Sequence, residues 1–530
     1  MKAKYFLFSA MTLISVSAVA QETYQDVKMI GNDLNGTARY VGMGGAMEAL
    51  GADISTISSN PAGIGLFRKN HVSLSGGLVM QGDADTQLSY NNTGINIKGN
   101  KTNASFDQIG LVYVMNNKGD KSFLNLGFNY HKSRNFDQIL TAAASLNGNA
   151  SQNKNTAMKY LYALDLQQRF GNTAADMIWN GVDANYGNLL SKSPDGSSMD
   201  YLNGEEYLFG QYQKGYIGEY DFNISGNIND RIFLGITFGF HDVNYKNNSF
   251  YTENLETNVY ASAWEQLKIT GSGFDLKVGA IFRPIETSPF RIGLYLNTPV
   301  FYDLTMSGAS DVEMGYLDGS SSPSSNGNIS GYDFKIFTPW KFGLSLGHTV
   351  GNYLALGATY EYSDYGSIDN RINDGGYYDS WYDTYYESSS SDGKMNDHTK
   401  ETLKGVSTIK LGLEYKPTTA IALRLGYNYV SSIFNKDGFR DGSIISPGTA
   451  YATSTDYTNW KATNRITCGL GYYIGSFSMD LAYQYSATNG DFYPFMSYVN
   501  SANTSENNIP DVAKVSYKRH QLLFTFGYRF

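Results

Sequence analysis

From about residue 70 onward the chain alternates between large apolar or aromatic side chains and Gly, Ser, Thr, Asn or charge. The last segment shows it plainly: Leu522, Phe524, Phe526, Tyr528 and Phe530 form one row, and Gln521, Leu523, Thr525, Gly527 and Arg529 the other. Successive side chains of a strand point to opposite faces, so such a segment has one greasy face and one mostly polar face. The same division runs through 354–362, 421–429 and 477–485. Fourteen such segments can be marked, near 71–80, 106–116, 122–132, 216–228, 231–245, 266–283, 290–302, 332–347, 352–363, 404–416, 419–431, 464–474, 476–487 and 515–530. Each is close to or above the roughly 9 to 11 residues with which a tilted strand crosses a bilayer.

The spacers alternate as well. Short ones at 117–121, 229–230, 284–289, 348–351, 417–418 and 475 are interleaved with long ones at 81–105, 133–215, 246–265, 303–331, 364–403, 432–463 and 488–514. Outer-membrane barrels arrange periplasmic turns and extracellular loops in this way, and an even strand count returns both barrel ends to the periplasmic side. The pattern predicts an all-β fold, a transmembrane antiparallel β-barrel of about fourteen strands over 71–530. A soluble β-sandwich also alternates, but sandwich strands average about half this length and have no need for tyrosine at their ends.

Composition sharpens this picture. The 530 residues include 43 Tyr, 29 Phe and 5 Trp, yet mean hydropathy is −0.34. Beyond residue 20 no run approaches the ~18 apolar residues of a membrane helix, so a helical membrane protein is excluded; the aromatics of the outward rows belong to strands, and the tyrosines of the long loops stay unassigned. Residues 1–20, MKAKYFLFSAMTLISVSAVA, carry Lys2 and Lys4, an apolar core and small residues Ala18 and Ala20. They read as a secretory signal cut after Ala20. Net charge is −9, and loss of the two lysines makes the exported chain more acidic still. Nucleic acid is therefore not an expected partner. The single cysteine, Cys468, allows no internal disulfide, leaving a closed sheet to hold the fold.

Residues 21–70 do not alternate. They contain the glycines Gly42, Gly44 and Gly45, a short apolar helix candidate at 46–50, an N-cap candidate at Asp53 and an Asn60-Pro61 turn. A compact, small-residue segment ahead of a barrel is expected to be an internal hatch; a periplasmic extension is the alternative. Here the chain resembles the outer-membrane long-chain fatty-acid and hydrophobic-compound transporters of the FadL/TodX type. The likeness lies in Gly44-Gly45-Ala46, Asp53-Ile54-Ser55-Thr56 and Asn60-Pro61-Ala62-Gly63, and in late segments such as TPWKFGLSLGHTV and ITCGLGYYIGSFSMDLAYQYS. The resemblance implies a fourteen-stranded barrel with an N-terminal hatch. It also implies passive transport of a hydrophobic or amphipathic solute, such as a long-chain fatty acid, which enters a pocket above the hatch and leaves sideways through the wall. In the family a kink in the third strand opens that wall; Gly127 is the residue here that could match.

The inner rows carry Lys277, Arg283, Lys341, Lys410, Glu414, Arg424, Arg465, Asp480 and Arg529. These either pair with one another and with the hatch, or leave a cationic spot for a carboxylate head group; Arg424 and Arg465 are the candidates for it. Phe526, Tyr528 and Phe530 are expected to signal to the barrel-assembly machinery, and the outward rows to meet outer-membrane lipid. The long loop 133–215 shows helical spacing at Ala157, Leu161 and Leu164 and at Ala174, Met177, Ile178 and Val182. Loop 364–403 is rich in Asp and Tyr without the fixed spacing of a calcium loop. It keeps open a second function, a surface receptor for haem, glycan or a host factor. No cofactor is expected. No metal site is expected either, since the six histidines form no pair at metal-ligand spacing. Nor is an enzyme: a barrel hydrolase would need Ser beside His on the outer wall, and only His241 and His520 lie suitably near the extracellular strand ends.

Overall fold

The computed structural model describes residues 22–90, 93–115, 121–170, 191–192, 199–318, 324–444, 446, 455–499 and 504–530. The leader at 1–20 and the helical spacing at 174–182 lie outside them. Fourteen antiparallel strands close into a ring. They are β1 (His71–Gln81), β2 (Thr102–Met115), β3 (Phe123–Asn135), β4 (Gly204–Ile228), β5 (Ile232–Leu255), β6 (Val259–Phe282) and β7 (Arg291–Asn297), followed by β8 (Lys341–Val350), β9 (Leu354–Asp364), β10 (Gly405–Tyr415), β11 (Ile421–Val430), β12 (Tyr457–Ile474), β13 (Phe477–Tyr493) and β14 (Ala513–Arg529). Pairing of β1 with β14, from His71↔Arg529 to Gln81↔Arg519, closes the ring, and Phe530 donates its N–H to the Asn70 carbonyl at the turn end. The tight turn after β4 places Asn229 and Asp230 at φ 54° and 57°, the twist-compatible conformation of a two-residue hairpin.

The outer boundary of the membrane can be read along β5. Outward-facing Ile232, Leu234, Phe238 and Phe240 are exposed and apolar, while inward Thr237 and His241 are polar. From Asp242 the pattern inverts: Asp242 and Lys246 face out, and Val243 and Tyr245 are buried inside. The rings of Phe222, Phe240 and Phe274 touch one another on β4, β5 and β6 at this boundary, as an aromatic girdle does. The greasy exposed rows of the other strands, among them Leu425, Ile466, Phe477 and Phe526, complete the belt of a protein of the outer membrane.

Three of the expected loops contain paired strand. Residues 246–265 are no loop, because β5 and β6 stay paired up to Leu255↔Val259 and turn through Thr257 and Asn258 with φ of 67° and 59°. The segments 303–331 and 364–403 likewise contain a hairpin of Phe301–Tyr316 with Ser324–Phe337 and one of Asp369–Asp379 with Thr384–Ser391. The segments predicted at 290–302 and 332–347 are interrupted at Pro299 and Pro339, since proline offers no N–H to a ladder. Their mutual register is the same on both sides, Asn297↔Lys341 and Phe301↔Phe337.

The hatch winds inside the ring. Helix α1 (Thr23–Ile30) lies toward the long-loop end, where Thr23 meets Thr399 of a loop helix, Gly393–Thr402, at 2.8 Å. Tyr24 stacks on Phe434 at 5.1 Å within an apolar cluster that includes Val243, Tyr245, Ile269 and Phe334. Helix α2 (Ala38–Gly42) follows, capped by Thr37. The helix expected at 46–50 is a series of turns. Gly44, Gly45 and Gly51 flank it at φ 63°, 80° and 62°, left-handed positions that interrupt a helical run on both sides. Asp53 and Asn60 each cap a short 3₁₀ turn, the second opening on Pro61. Within loop 133–215, Gln138–Ser145 extends the wall beside β4, and helix α2's successor, α3, spans Gln152–Phe170.

Candidate functional site

The hatch is seated against glycines. Gly412 and Gly426 in the wall meet Met43 and Gly44 of the hatch, Gly469 meets Gly42, and Gly235 and Gly279 meet Asn60, Pro61 and Ala62, so closely that a Cβ at any of them would collide or crowd. Bare backbone at these inward positions lets the plug lie on the sheet. Gly63, tucked against Thr56 and Gly51, keeps the two 3₁₀ turns together.

Charged groups then tie hatch to wall. Arg39 of α2 meets Glu414 at 3.0 Å, Glu414 meets Arg424 at 2.7 Å, and Arg424 reaches Asp480 at 2.7 Å and the Tyr473 hydroxyl at 2.6 Å. Arg424 is 1% exposed and each of its three guanidinium nitrogens is hydrogen-bonded to a wall side chain, so its assignment as a head-group site is corrected: it is tied into the wall. A second network joins Glu48 of the hatch to Lys410 at 2.8 Å and to the Thr359 hydroxyl at 2.8 Å. Arg283 and Arg529 stand near the turn end, partly or fully exposed rather than in the lumen.

Arg465 sits differently. Between the lower hatch (Tyr40, Ser58, Ser59) and α1 lies a cavity of about 300 Å³, bordered by Arg134, Arg465, Arg519, Lys341 and Glu361 and by the apolar faces of Leu34, Phe136, Phe434, Trp460 and Tyr517. Arg519 meets Asp33 at 2.8 Å, and Arg465 is hydrogen-bonded to Asn428 at 2.8 Å. Burial alone would push the Asp33 carboxyl up, but Arg519, Arg134 and Arg465 outweigh it and hold it well below the usual carboxylate range. Three guanidiniums thus share one close carboxylate, and the surplus is positive. Sequence reading missed Arg134, Arg519 and Asp33. Extending the inner row of β14 back two residues from Gln521 would have found Arg519.

Beside this cavity the wall loses a ladder. β2 and β3 pair from Met115↔Leu124 only as far as Gln108↔His131. Beyond that point β2 stays on β1 up to Thr102, and β3 stays on β4 up to Asn135. The seam is filled by side chains and hatch backbone. Asn35 donates to the Asp107 carboxylate and to the Lys132 carbonyl, both at 2.9 Å; Lys132 donates to the Ser105 hydroxyl at 2.7 Å; and Asp33 donates its N–H to the Ser133 carbonyl at 2.8 Å. On the lipid side, Phe106 and Tyr130 stack with ring centroids 5.7 Å apart. Gly127 does not mark this opening. It pairs regularly with Val112 and Asn223 and faces Ile57 and Ile64 of the hatch, and the register shift in β3 falls at Lys132/Arg134 instead.

Neither histidine considered for a hydrolase carries that geometry. His241 is buried and faces Asp275 at 3.3 Å, and His520 bonds to the Tyr483 hydroxyl at 2.7 Å.

No family model and no curated protein matches the sequence. Among solved structures the chain resembles a FadL homologue of Pseudomonas aeruginosa (13% identity, 97% of this chain and 100% of that one, TM-score 0.49). It also resembles the toluene transporters TbuX of Ralstonia pickettii (12%, 94% and 99%, 0.48) and TodX of Pseudomonas putida (11%, 94% and 100%, 0.47). At such identities and scores the function has to be argued from this chain's own geometry.

Proposed function

We propose that the protein is a passive outer-membrane channel for hydrophobic or amphipathic small molecules. The observation that carries this is the juxtaposition of the cavity with the unzipped β2–β3 seam: Asp33, Asn35, His131 and Ser133 border both. A solute taken up from the long-loop side rests in the cavity with its apolar part against Phe136, Phe434 and Trp460. An anionic head faces Arg465 and Arg519, where charge-assisted hydrogen bonds hold it. It leaves sideways between β2 and β3 into the bilayer, and so avoids crossing the hatch. Each methylene that passes from water to the acyl region gains about 0.8 kcal/mol, so downhill flow needs no coupled energy source. A cavity of about 300 Å³ is at the small end of ligand pockets. A ring-sized or medium-chain amphiphile fits it whole, and a long-chain fatty acid extends its tail into the seam.

Deleting residues 42–63 and measuring uptake of a labelled fatty acid across a heterologous outer membrane tests the hatch; unchanged uptake would overturn its part. Arg465→Gln with Arg519→Gln should weaken uptake of fatty acids much more than of a neutral aromatic. The outward belt meets lipid, and Phe526, Tyr528 and Phe530, exposed toward the turn end of β14, serve the assembly machinery. One observation favours surface reception as a second reading: Trp381 and Tyr382 are 87% and 69% exposed at the tip of the Asp369–Ser391 hairpin. Trimming that tip, which leaves the helix against α1 in place, abolishes ligand binding if reception is the function.

A further inference from the structure

The inner wall between β3 and β6 carries a cluster of titratable side chains that touches the transport route only at His131. In one cross-strand row His131 on β3 lies opposite Glu219 on β4, which in turn lies opposite His241 on β5. Two residues nearer the turns, Asp221 on β4 lies opposite Gly239, which lies opposite Asp275 on β6. A Cβ at Gly239 would collide with the Asp275 carboxylate and the Lys277 ammonium, so the missing side chain is what lets these groups converge. All are buried: His131 is 7% exposed, His241 6%, Glu219 1% and Asp221 0%.

Lys277 occupies one side of the cluster. Its ammonium lies 2.7 Å from Glu219 Oε1, 3.0 Å from Asp221 Oδ1 and 2.8 Å from Asp275 Oδ1. Three carboxyl groups face a single ammonium here, and a buried carboxylate without a cationic partner is costly. The opposite oxygens face an imidazole. His131 Nε2 is 3.6 Å from Glu219 Oε2 and its other ring nitrogen, Nδ1, is 3.8 Å from Asp221 Oδ2, so one of the two nitrogens can serve as ligand. These separations are too long for hydrogen bonds. Among the described residues, His131 Nδ1 and Asp221 Oδ2 have no hydrogen-bond partner, and His241 Nε2 faces only Asp275, at 3.3 Å. Ligand atoms of His131, Glu219 and Asp221 lie within 4.8 Å of one another. A tetrahedral ion with bonds of about 2.0–2.2 Å leaves its donors roughly 3.3–3.6 Å apart, so the three groups close in by up to about an ångström when an ion enters.

From this geometry we infer a divalent transition-metal site, of the kind that takes Zn²⁺, with His131, Glu219 and Asp221 as ligands and His241 and Asp275 beside it. An imidazole nitrogen with carboxylates selects such ions over the all-oxygen sites of Mg²⁺ and Ca²⁺. A dication supplies positive charge on the side of the carboxyl groups that Lys277 does not reach. His131 also borders the lumen cavity, which gives the ion a way in and leaves a coordination position for water. Bound there, it ties β3 to β4 directly below the level at which β3 leaves β2, and so pins one lip of the seam.

The test uses the full mature chain, purified in detergent, stripped with a chelator and titrated with Zn²⁺ alone or Co²⁺ alone. One ion per chain is expected. The visible spectrum of bound Co²⁺ should be of the low-symmetry nitrogen–oxygen type, and His131→Ala and Asp221→Asn should each lower affinity at least tenfold while the heat-modifiable migration of a folded barrel is retained. Absence of a Co²⁺ spectrum in the unmodified protein overturns the site without recourse to any variant. Equal Zn²⁺ affinity in His131→Ala overturns it too. Metal binding is read with no transport substrate present, so its failure is separate from failure of the uptake assays.

Discussion

Arg424 and Arg465 stand on neighbouring strands and face the same lumen, yet one is spent and the other is available. Arg424 lies level with α2, where Glu414 and Asp480 enclose it; Arg465 lies above the lower hatch, beside the cavity. Replacing Arg424 with Met leaves Glu414 and Asp480 short of a buried partner and should cost about 3–5 kcal/mol, read as a lower urea midpoint for loss of the heat-modifiable band. Alternation told the side of the wall for both residues. It could not tell depth relative to the hatch, because depth depends on how a separate, non-periodic segment winds inside. Asp26 in α1 supplies a pH test. Burial, then the nearby Glu22 carboxylate, push its carboxyl well above its ordinary range. An unfolded Asp ionises near about pH 3.9, so this group's contribution favours folding at low pH and is lost as pH rises from there toward the raised folded value. The loss is at most about 1.4 kcal/mol per pH unit. Asp26→Asn should therefore raise the melting temperature at pH 7 and flatten its dependence between pH 4 and neutrality; an unchanged slope would count against a buried neutral Asp26.

At the scale of elements, the strands within the bilayer were legible because lipid outside and a polar lumen inside impose period two. Above Phe240 and Phe274 that constraint disappears. The backbone of β5 and β6 continues as paired strand, but its outer residues, Asp242 and Lys246 among them, meet water. With no lipid to demand an apolar row, the hydrophobic signal inverts, and 246–265 reads as a loop. The hatch was legible as a non-alternating block, with its caps at Asp53 and Asn60, whereas α1 and α2 were not, being short and stabilised by wall contacts rather than by their own periodicity. Gly44 concentrates that dependence. It holds φ of 63° while its Cα faces the Tyr427 backbone and the Leu411 carbonyl. Gly44→Val should cost on the order of 1–3 kcal/mol of local strain and loosen the hatch, seen as larger ion conductance in a planar bilayer; unchanged conductance would show that the hatch is seated by other contacts.

For the whole molecule, a hydrophilic average and an excess of aromatics follow from one geometry: only every second residue of the bilayer-spanning part faces lipid, and the long hairpins beyond it are polar. The seam could not be seen in the sequence, since β2 and β3 alternate as well as their neighbours do. What opens it is a difference in where each strand's pairing stops, and the hatch residues Asp33 and Asn35 fill the space. Uptake of a labelled fatty acid through that seam is the most direct test. Ser105→Trp with Ser133→Trp fills the gap between β2 and β3 while the other ladders stay intact. In a heterologous outer membrane containing equal amounts of folded barrel, the filled variant should take up the acid at least tenfold more slowly than the unaltered protein; equal rates would contradict lateral exit between β2 and β3.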